Sequence, residues 1–335
     1  MNKVFFLFPG QGAQYPGMAL DFLESAQNGG KGKRLFTLAS EIFGKDMADL
    51  LGKSSPEDLK PTDISQPAIT LANLAAAAYL EEKGITPSGC AGFSLGEYSA
   101  LSIAGVISEE DCLYLVTERG KAMQASIDNM TKEPGVTGLP GNAKFPGMAK
   151  LPGMAAVIGL APEKVEALIA EWSNDGLKGL NAANINSPRQ VAVSGSAEAL
   201  EEAEKRFKEA GAKRFMRLAV AGPYHSPFMK DAAEKFDIAL DKVKFNNLVI
   251  PVFSNVTGKQ ISNAEEAKAL AKRHILEGVR WTDEEAALAR LEPKTLLEVG
   301  PGKVLQGLWK DTGSSIPCYA AGTVAEIDEL LKAGI

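Results

Sequence analysis

The chain has 335 residues, 45% of them hydrophobic and 23% charged, with a formal net charge of -6. That length buries a sizeable core and suits one large domain, or a large one carrying a smaller one, and the composition is that of a soluble globular protein. The acidic balance excludes a general attraction to nucleic acid or anionic membrane, so any basic partner-binding patch is local.

The apolar run Val4–Phe8 imitates a signal peptide but stops at Pro9-Gly10, too short for an h-region, and reads as a buried first strand. A glycine-bearing loop follows at 10–17, then the polar surface stretch "SAQNGGKGKR" and a helix-like region through Leu51. Ser65-Gln66-Pro67 predicts a helix start. The Ala/Leu-rich segment after it ends at Gly84, and its apolar core "ITLANLAAAAYL" is too short to span a bilayer. A short strand is expected at 90–93, then Ser94, then the helix-like "LGEYSALSIA" closed by Gly105. Ser108 opens another helix with Glu109, Glu110 and Asp111 in its first turn. Cys112, Leu115, Val116, Arg119 and Met123 then share one face.

The Pro/Gly-rich stretch 134–153 reads as a loop or boundary. Beyond it the predicted order is strand "MAAVIGL", helix "PEKVEALIAEW", strands "KGLNAANI" and "QVAVSG", helix "SAEALEEAEKRFKEAG" and strand "AKRFMRLAV". This is the β-α-β-β-α-β order of a ferredoxin-like unit. The expected architecture is therefore α/β: a larger hydrolase-like domain with a parallel-sheet core, residues 1–152 and 221–335, and a smaller ferredoxin-like domain inserted at 153–220. Cys90, Cys112 and Cys318 have neither the even count of a disulfide framework nor metal-ligand spacing, which reads as buried thiols in a reducing, cytoplasmic compartment. With no paired-Cys or H-E-x-x-H pattern, no metal site is expected.

Chemistry concentrates at "GFSLG", residues 92–96. On the pattern alone Ser94 is either a capping hydroxyl between glycines or a nucleophile, but the predicted strand-to-helix junction is the context of a nucleophile elbow. A serine nucleophile needs a base, and the chain offers two imidazoles, His225 and His274. His225 precedes Ser226-Pro227, which reads as a cap and first helical position. It is either the base or a surface loop residue. Gln11, in the first glycine loop, is either a substrate-facing donor or an ordinary turn residue. Arg119, on an apolar face, is either a ligand for an anion or held by a structural ion pair or a snorkelling stem.

Seven motifs in order carry a specific resemblance: "PGQGAQ" at 9–14, "GFSLGEYSAL", "TERGKAMQ", "NINSPRQV", "PYHSPFM", "SNVTG" and "EVGPGKVL". Together they resemble the malonyl-CoA:acyl-carrier-protein transacylases of fatty acid synthesis over nearly the whole chain. The resemblance implies a cleft between two domains in which Ser94 accepts malonyl from coenzyme A and passes it to the phosphopantetheine thiol of acyl carrier protein. It implies His225 as base, oriented by a backbone carbonyl of "RHILEGVRW", that of His274 or one near Glu277-Gly278 at the helix end. The N–H groups of Gln11 and Leu95 form the oxyanion hole, Arg119 is the clamp on the malonyl carboxylate, and Asn184 and Asn186 are pocket residues. No catalytic cofactor is implied, coenzyme A being part of the substrate. One departure is visible: Phe93 stands where the family often has histidine. An acyl hydrolase of the same fold, an unrelated esterase and a non-catalytic carrier-protein-binding module remain the alternatives. For the carrier protein, "EKRFKEAGAKRFMR" places Lys205, Arg206, Lys208, Lys213, Arg214 and Arg217 in one basic segment.

Overall fold

The computed structural model describes residues 3–26, 30–132 and 151–335. Among these residues ten strands run in chain order: β1 (Val4–Phe8), β2 (Gly89–Gly92), β3 (Gly153–Ile158), β4 (Leu180–Ser187), β5 (Gln190–Gly195), β6 (Arg214–Arg217), β7 (Phe253–Ser254), β8 (Lys259–Gln260), β9 (Thr295–Glu298) and β10 (Cys318–Ala320).

The first sheet has the order β10-β9-β1-β2 with every pair parallel. Val252 extends it past β2 through a parallel bridge to Cys90. β1, β2 and β9 are buried at every position, the signature of a parallel sheet covered by helices on both faces. The helices Thr62–Glu82 and Glu109–Thr131 pack together on this sheet's core, and the first is buried along nearly its whole length. No helix among the described residues is long and apolar enough to cross a membrane.

The second sheet is antiparallel, β4-β5-β3-β6, and carries the helices Pro162–Asn174 and Ala197–Glu209. This is the predicted β-α-β-β-α-β order. The unit has its own apolar cluster, in which Trp172 meets Phe207 edge-on with ring centroids 4.7 Å apart. β4 is tied to the larger unit through Val279, in the connection ahead of the helix Trp281–Ala289: Val279 N donates to Ala183 O at 2.9 Å and Ile185 N to Val279 O at 2.8 Å.

Several expected boundaries move. The helix predicted from Ser65 begins at Thr62, with Pro67 inside it. Pro67 stands one turn past the helix start, and the Gln66 side chain bonds back to Thr62 at 2.8 Å to brace that first stretch. β2 ends at Gly92 rather than 93, and only Arg214–Arg217 of the last predicted strand pairs. Part of the polar stretch "KGKR" belongs to the helix Lys31–Phe43. Ser226 sits ahead of the short 3-10 turn Pro227–Met229 but does not cap it, because its hydroxyl donates backwards to Pro223 O. The Pro/Gly-rich loop expected at 134–153 lies, up to residue 150, outside the described residues.

Candidate active site

Ser94 stands between the end of β2 and the helix Gly96–Ile103, with its backbone at φ 47°. A left-handed conformation costs a non-glycine residue roughly 1–2 kcal/mol, so the surroundings must enforce it. They do so by crowding: a Cβ on Gly92 would overlap the carbonyl of Gly96, and one on Gly96 would overlap Phe8 O. Both glycines of the motif are therefore required by close backbone approach. A Cβ on Gly10 would overlap Phe93 O and lie 3.5 Å from Leu95 N, which sets the Gln11 loop against the start of the helix. The backbone N–H groups of a helix start lack intrahelical partners, so this junction presents donors to an anion. The side chain of Leu95 is itself fully buried, leaving only its backbone for that purpose.

His225 Nε2 lies 2.8 Å from Ser94 Oγ. Its Nδ1 is 3.0 Å from both His274 O and Glu277 O, just past the helix Ala264–Arg273. Carbonyls only accept, so Nδ1 carries the proton and donates, and Nε2 is left to accept from Ser94. Burial, reinforced by the nearby Arg119 charge, lowers the His225 pKa to about 4, so the ring is neutral and ready to take a proton at pH 7. The base predicted from sequence and its carbonyl orienter are both in contact geometry, with Glu277 sharing the orienting role.

Arg119 is 1% exposed. Its Nη1 donates to Gln66 Oε1 at 2.8 Å and its Nη2 approaches Ser94 Oγ at 3.4 Å, while Nε has no partner. It makes no ion pair among the described residues and does not reach solvent, so neither a structural salt bridge nor a snorkelling stem accounts for it. Burial pulls its pKa down, the mark of a cation held without a counter-ion. The Gln11 side chain is fixed by Thr62 Oγ1 donating to its Oε1 at 2.8 Å and by its own Nε2 donating to Tyr224 Oη at 3.3 Å.

Gln11, Ser94, Arg119, Asn184, Asn186 and His225 line one cavity of about 400 Å³. Asn184 is buried on β4, and Asn186 Oδ1 is buried without a partner. Phe93, the departure noted above, also lines the cavity and packs edge-on against Trp281, its ring centroid 5.4 Å away. The position is thus filled by an aromatic contact in place of a polar one.

The sequence reading assigned no role to a buried polar cluster directly behind Ser94. Asn255 Oδ1 accepts Ser94 N–H at 2.6 Å, and Glu97, Glu284 and the His274 ring surround that amide. Burial raises the Glu97 pKa to about 8 and that of Glu284 well above its ordinary value, so both carboxyls favour the neutral form. Asn255 belongs to "SNVTG", but nothing within that pentapeptide points to a residue far away in the chain. Gln66 and Thr62, in the first turns of the helix Thr62–Glu82, position Arg119 and Gln11, a role that the helix-start signal at Ser65-Gln66-Pro67 does not reveal.

The sequence matches the family described as acyl transferase domain over residues 5–178 and 146–329. The chain belongs to the acyl transferase family. Within it, the malonyl CoA-acyl carrier protein transacylase of Bacillus subtilis is 34% identical over 328 residues, covering 98% of this chain and 96% of that protein. The transacylase of the same name from Escherichia coli is 37% identical over 314 residues, covering 92% and 93%. Among solved structures, an acyl carrier protein S-malonyltransferase from Vibrio cholerae superposes with a TM-score of 0.85 at 34% identity, covering 98% of this chain and 99% of that one. A malonyl-transacylase solved with its type II PKS acyl-carrier protein gives a TM-score of 0.85 at 33% identity, covering 99% of each chain. The α/β architecture with a parallel and an antiparallel sheet is that of these relatives.

Proposed function

We propose that this acyltransferase moves malonyl from coenzyme A to the phosphopantetheine thiol of acyl carrier protein through an ester on Ser94. The observation that carries the reading is the buried, unpaired Arg119 guanidinium 3.4 Å from the Ser94 oxygen that also faces His225. A guanidinium without a counter-ion beside a nucleophile fits an acyl group that bears its own free carboxylate. The full-length likeness to malonyl transacylases supports the same substrate and partner.

In the first half-reaction Ser94 Oγ attacks the thioester carbonyl and its proton passes to His225 Nε2. The developing oxyanion meets the N–H groups of Gln11 and Leu95, each such donor contributing about 2.7–4 kcal/mol in comparable sites. The C–S bond breaks, His225 returns the proton to the departing coenzyme A sulfur, and a malonyl ester remains. In the second half, His225 takes the carrier thiol proton, sulfur attacks the ester carbonyl, the C–O bond breaks and Ser94 Oγ regains the proton. Every proton is accounted for by His225, so the reading needs no catalytic cofactor, coenzyme A entering only as part of the substrate. Cys90, Cys112 and Cys318, all free thiols, support a reducing, cytoplasmic setting, and the bounds 153–220 serve as our division between the two domains. Incubation with malonyl-CoA, with and without carrier protein, tests transfer against hydrolysis. A transferase releases little malonate until the carrier is present, whereas a hydrolase releases it at the same rate either way.

The pocket wall also sets acyl choice. Tyr224, 7% exposed and tied to Gln11, and Met123, 2% exposed, line the cavity that holds Ser94 and fill that wall with bulky side chains. Methylmalonyl-CoA is therefore expected to load at least about tenfold more slowly than malonyl-CoA, the effect of one unaccommodated methyl group. Equal rates in a competition assay would remove Tyr224 as a selector.

The basic segment proposed for carrier docking is reduced by its own geometry. Lys205 and Arg206 pair with Glu202, and Lys208 with Glu204, so the helix cations are largely neutralised within their helix. Lys213 and Arg214 are exposed and make no ion pair among the described residues. They lie at β6, an edge strand, and the chain leaves it to line the cavity at Leu218, Ala219 and Val220. Charge reversal at Lys213 and Arg214 is expected to raise the apparent KM for an acidic carrier protein severalfold at low salt and to leave Ser94 loading from malonyl-CoA intact. Unchanged transfer kinetics at low salt would place docking elsewhere.

A further inference from the structure

The elbow at Ser94 leaves two backbone groups with no secondary-structure partner, the carbonyl of Gly92 at the end of β2 and the N–H of Ser94. One side chain meets both. Asn255 Nδ2 donates to Gly92 O at 2.7 Å, and Asn255 Oδ1 accepts from Ser94 N at 2.6 Å, so a single amide straddles Phe93 and clips the turn at φ 47°. The same amide reaches the other half of the catalytic pair. His274 Nε2 lies 3.2 Å from Asn255 Oδ1, and the carbonyl of His274 is, with that of Glu277, one of the two that accept from His225 Nδ1.

Asn255 is itself held without freedom. It is fully buried, its N–H donates to Glu97 Oε2 at 2.7 Å, its second Nδ2 proton goes to Glu284 Oε1 at 2.7 Å, and its carbonyl accepts from Arg280 N at 2.8 Å. These partners use both amide protons and fix which end of the side chain is oxygen. Every polar group of Asn255 is thereby used, even though Glu284 Oε2 and His274 Nδ1 in the same cluster have no partner, and a side chain satisfied at each end is held in one geometry as an ordinary core filler is not.

We propose that Asn255 is the positioning residue of the Ser94–His225 pair, holding the nucleophile's backbone and, through His274, the base's orienter in one register. It touches no substrate and acts through both partners. The inference rests on the reading of Ser94 as nucleophile and His225 as base. It predicts that Asn255→Ala slows acylation of Ser94 by about 100-fold, the order expected from a displacement near 1 Å, with the apparent KM for malonyl-CoA little changed. Asn255→Asp keeps the acceptor toward Ser94 but loses the donor toward Gly92 and Glu284, and is expected to fall between the alanine variant and the native chain.

The test measures single-turnover acylation by intact mass with two probes, malonyl-CoA and phenylmethanesulfonyl fluoride, on both variants, with Tm recorded alongside. The sulfonyl fluoride needs an activated serine but no malonyl recognition, so its rates judge Asn255 even if malonyl-CoA loads neither variant nor the native protein. Slower reaction with both probes, in the order alanine, aspartate, native, supports the proposal. Native sulfonyl fluoride rates in a folded variant, whatever its Tm, would overturn it by reducing Asn255 to a structural residue. If the alanine variant does not fold, the aspartate variant decides alone: a slowed sulfonyl fluoride reaction supports positioning and a native rate refutes it.

Discussion

Arg119→Ala is expected to lower malonyl loading onto Ser94 by about 2–5 kcal/mol of transition-state stabilisation while leaving the slow loading of acetyl nearly unchanged. The asymmetry follows from charge accounting. Arg119 is 1% exposed, bonded to the neutral Gln66 and Ser94 and stacked on the Tyr98 ring, with no ion pair among the described residues. A malonyl carboxylate arriving beside Ser94 supplies the missing counter-ion, so truncation leaves that carboxylate desolvated and unpaired. Acetyl has no such group and loses nothing. Removing a buried cation without a counter-ion is also expected to leave the fold intact, since the Tyr98 ring and Gln66 that flank it remain. Comparing kcat/KM for the two acyl-CoA thioesters on the folded variant reads the difference directly. Equal loss for both, or an unaltered preference for malonyl, would dismiss Arg119 as the clamp.

His225→Ala is expected to slow Ser94 acylation by about 10²–10⁴-fold, the range for a removed general base. The pH profile of the native protein carries a sharper signature. Burial first, and the Arg119 charge second, hold the folded pKa at about 4, below the ordinary value of 6.5. The active form is the neutral ring, so kcat/KM is expected to stay flat as pH falls through about 6.5 and to decline only as it approaches the folded value. Arg119→Ala removes one of the two lowering causes and should move that acid limb upward in sulfonyl fluoride reactivity, which involves no malonyl carboxylate. An acid limb centred near 6.5 in the native protein would mean that His225 is solvated in the working enzyme. The same shift acts on stability: the unfolded ring binds a proton more readily than the folded one, so His225 favours folding above about pH 6.5, and that contribution is lost as pH falls from there toward 4.

What sequence made legible was local. The elbow could be read because its requirements, two glycines and a strand-to-helix switch, fall within five residues, and the structure shows both glycines fixed by backbone crowding. Arg119 could be placed on a buried face because helical periodicity starts from a clear cap, Ser108, whose hydroxyl accepts Asp111 N at 3.0 Å. The inserted unit was legible as an order of elements, although its final strand shortened to the residues that pair with β3. Two local signals misled: Pro67 sits inside its helix, and Ser226 turns its hydroxyl back to Pro223. Asn255 stayed hidden for a different reason. Its partners Gly92, Ser94, Glu97, His274 and Glu284 come from three separate stretches of chain, and no spacing rule encodes a side chain that bonds to backbone groups brought near only by the finished fold. Gln66 and Thr62 were legible only as part of a helix start, and their purpose appears once Arg119 and Gln11 face them.

The most direct measurement of the central claim is intact mass of the protein after brief exposure to malonyl-CoA, followed by addition of holo acyl carrier protein. The account predicts one malonyl adduct, lost in Ser94→Ala, which disappears on addition of carrier as malonyl appears on the carrier's thiol. No adduct on the native chain, an adduct that persists in Ser94→Ala, or an adduct discharged to free malonate at a rate indifferent to carrier would contradict it.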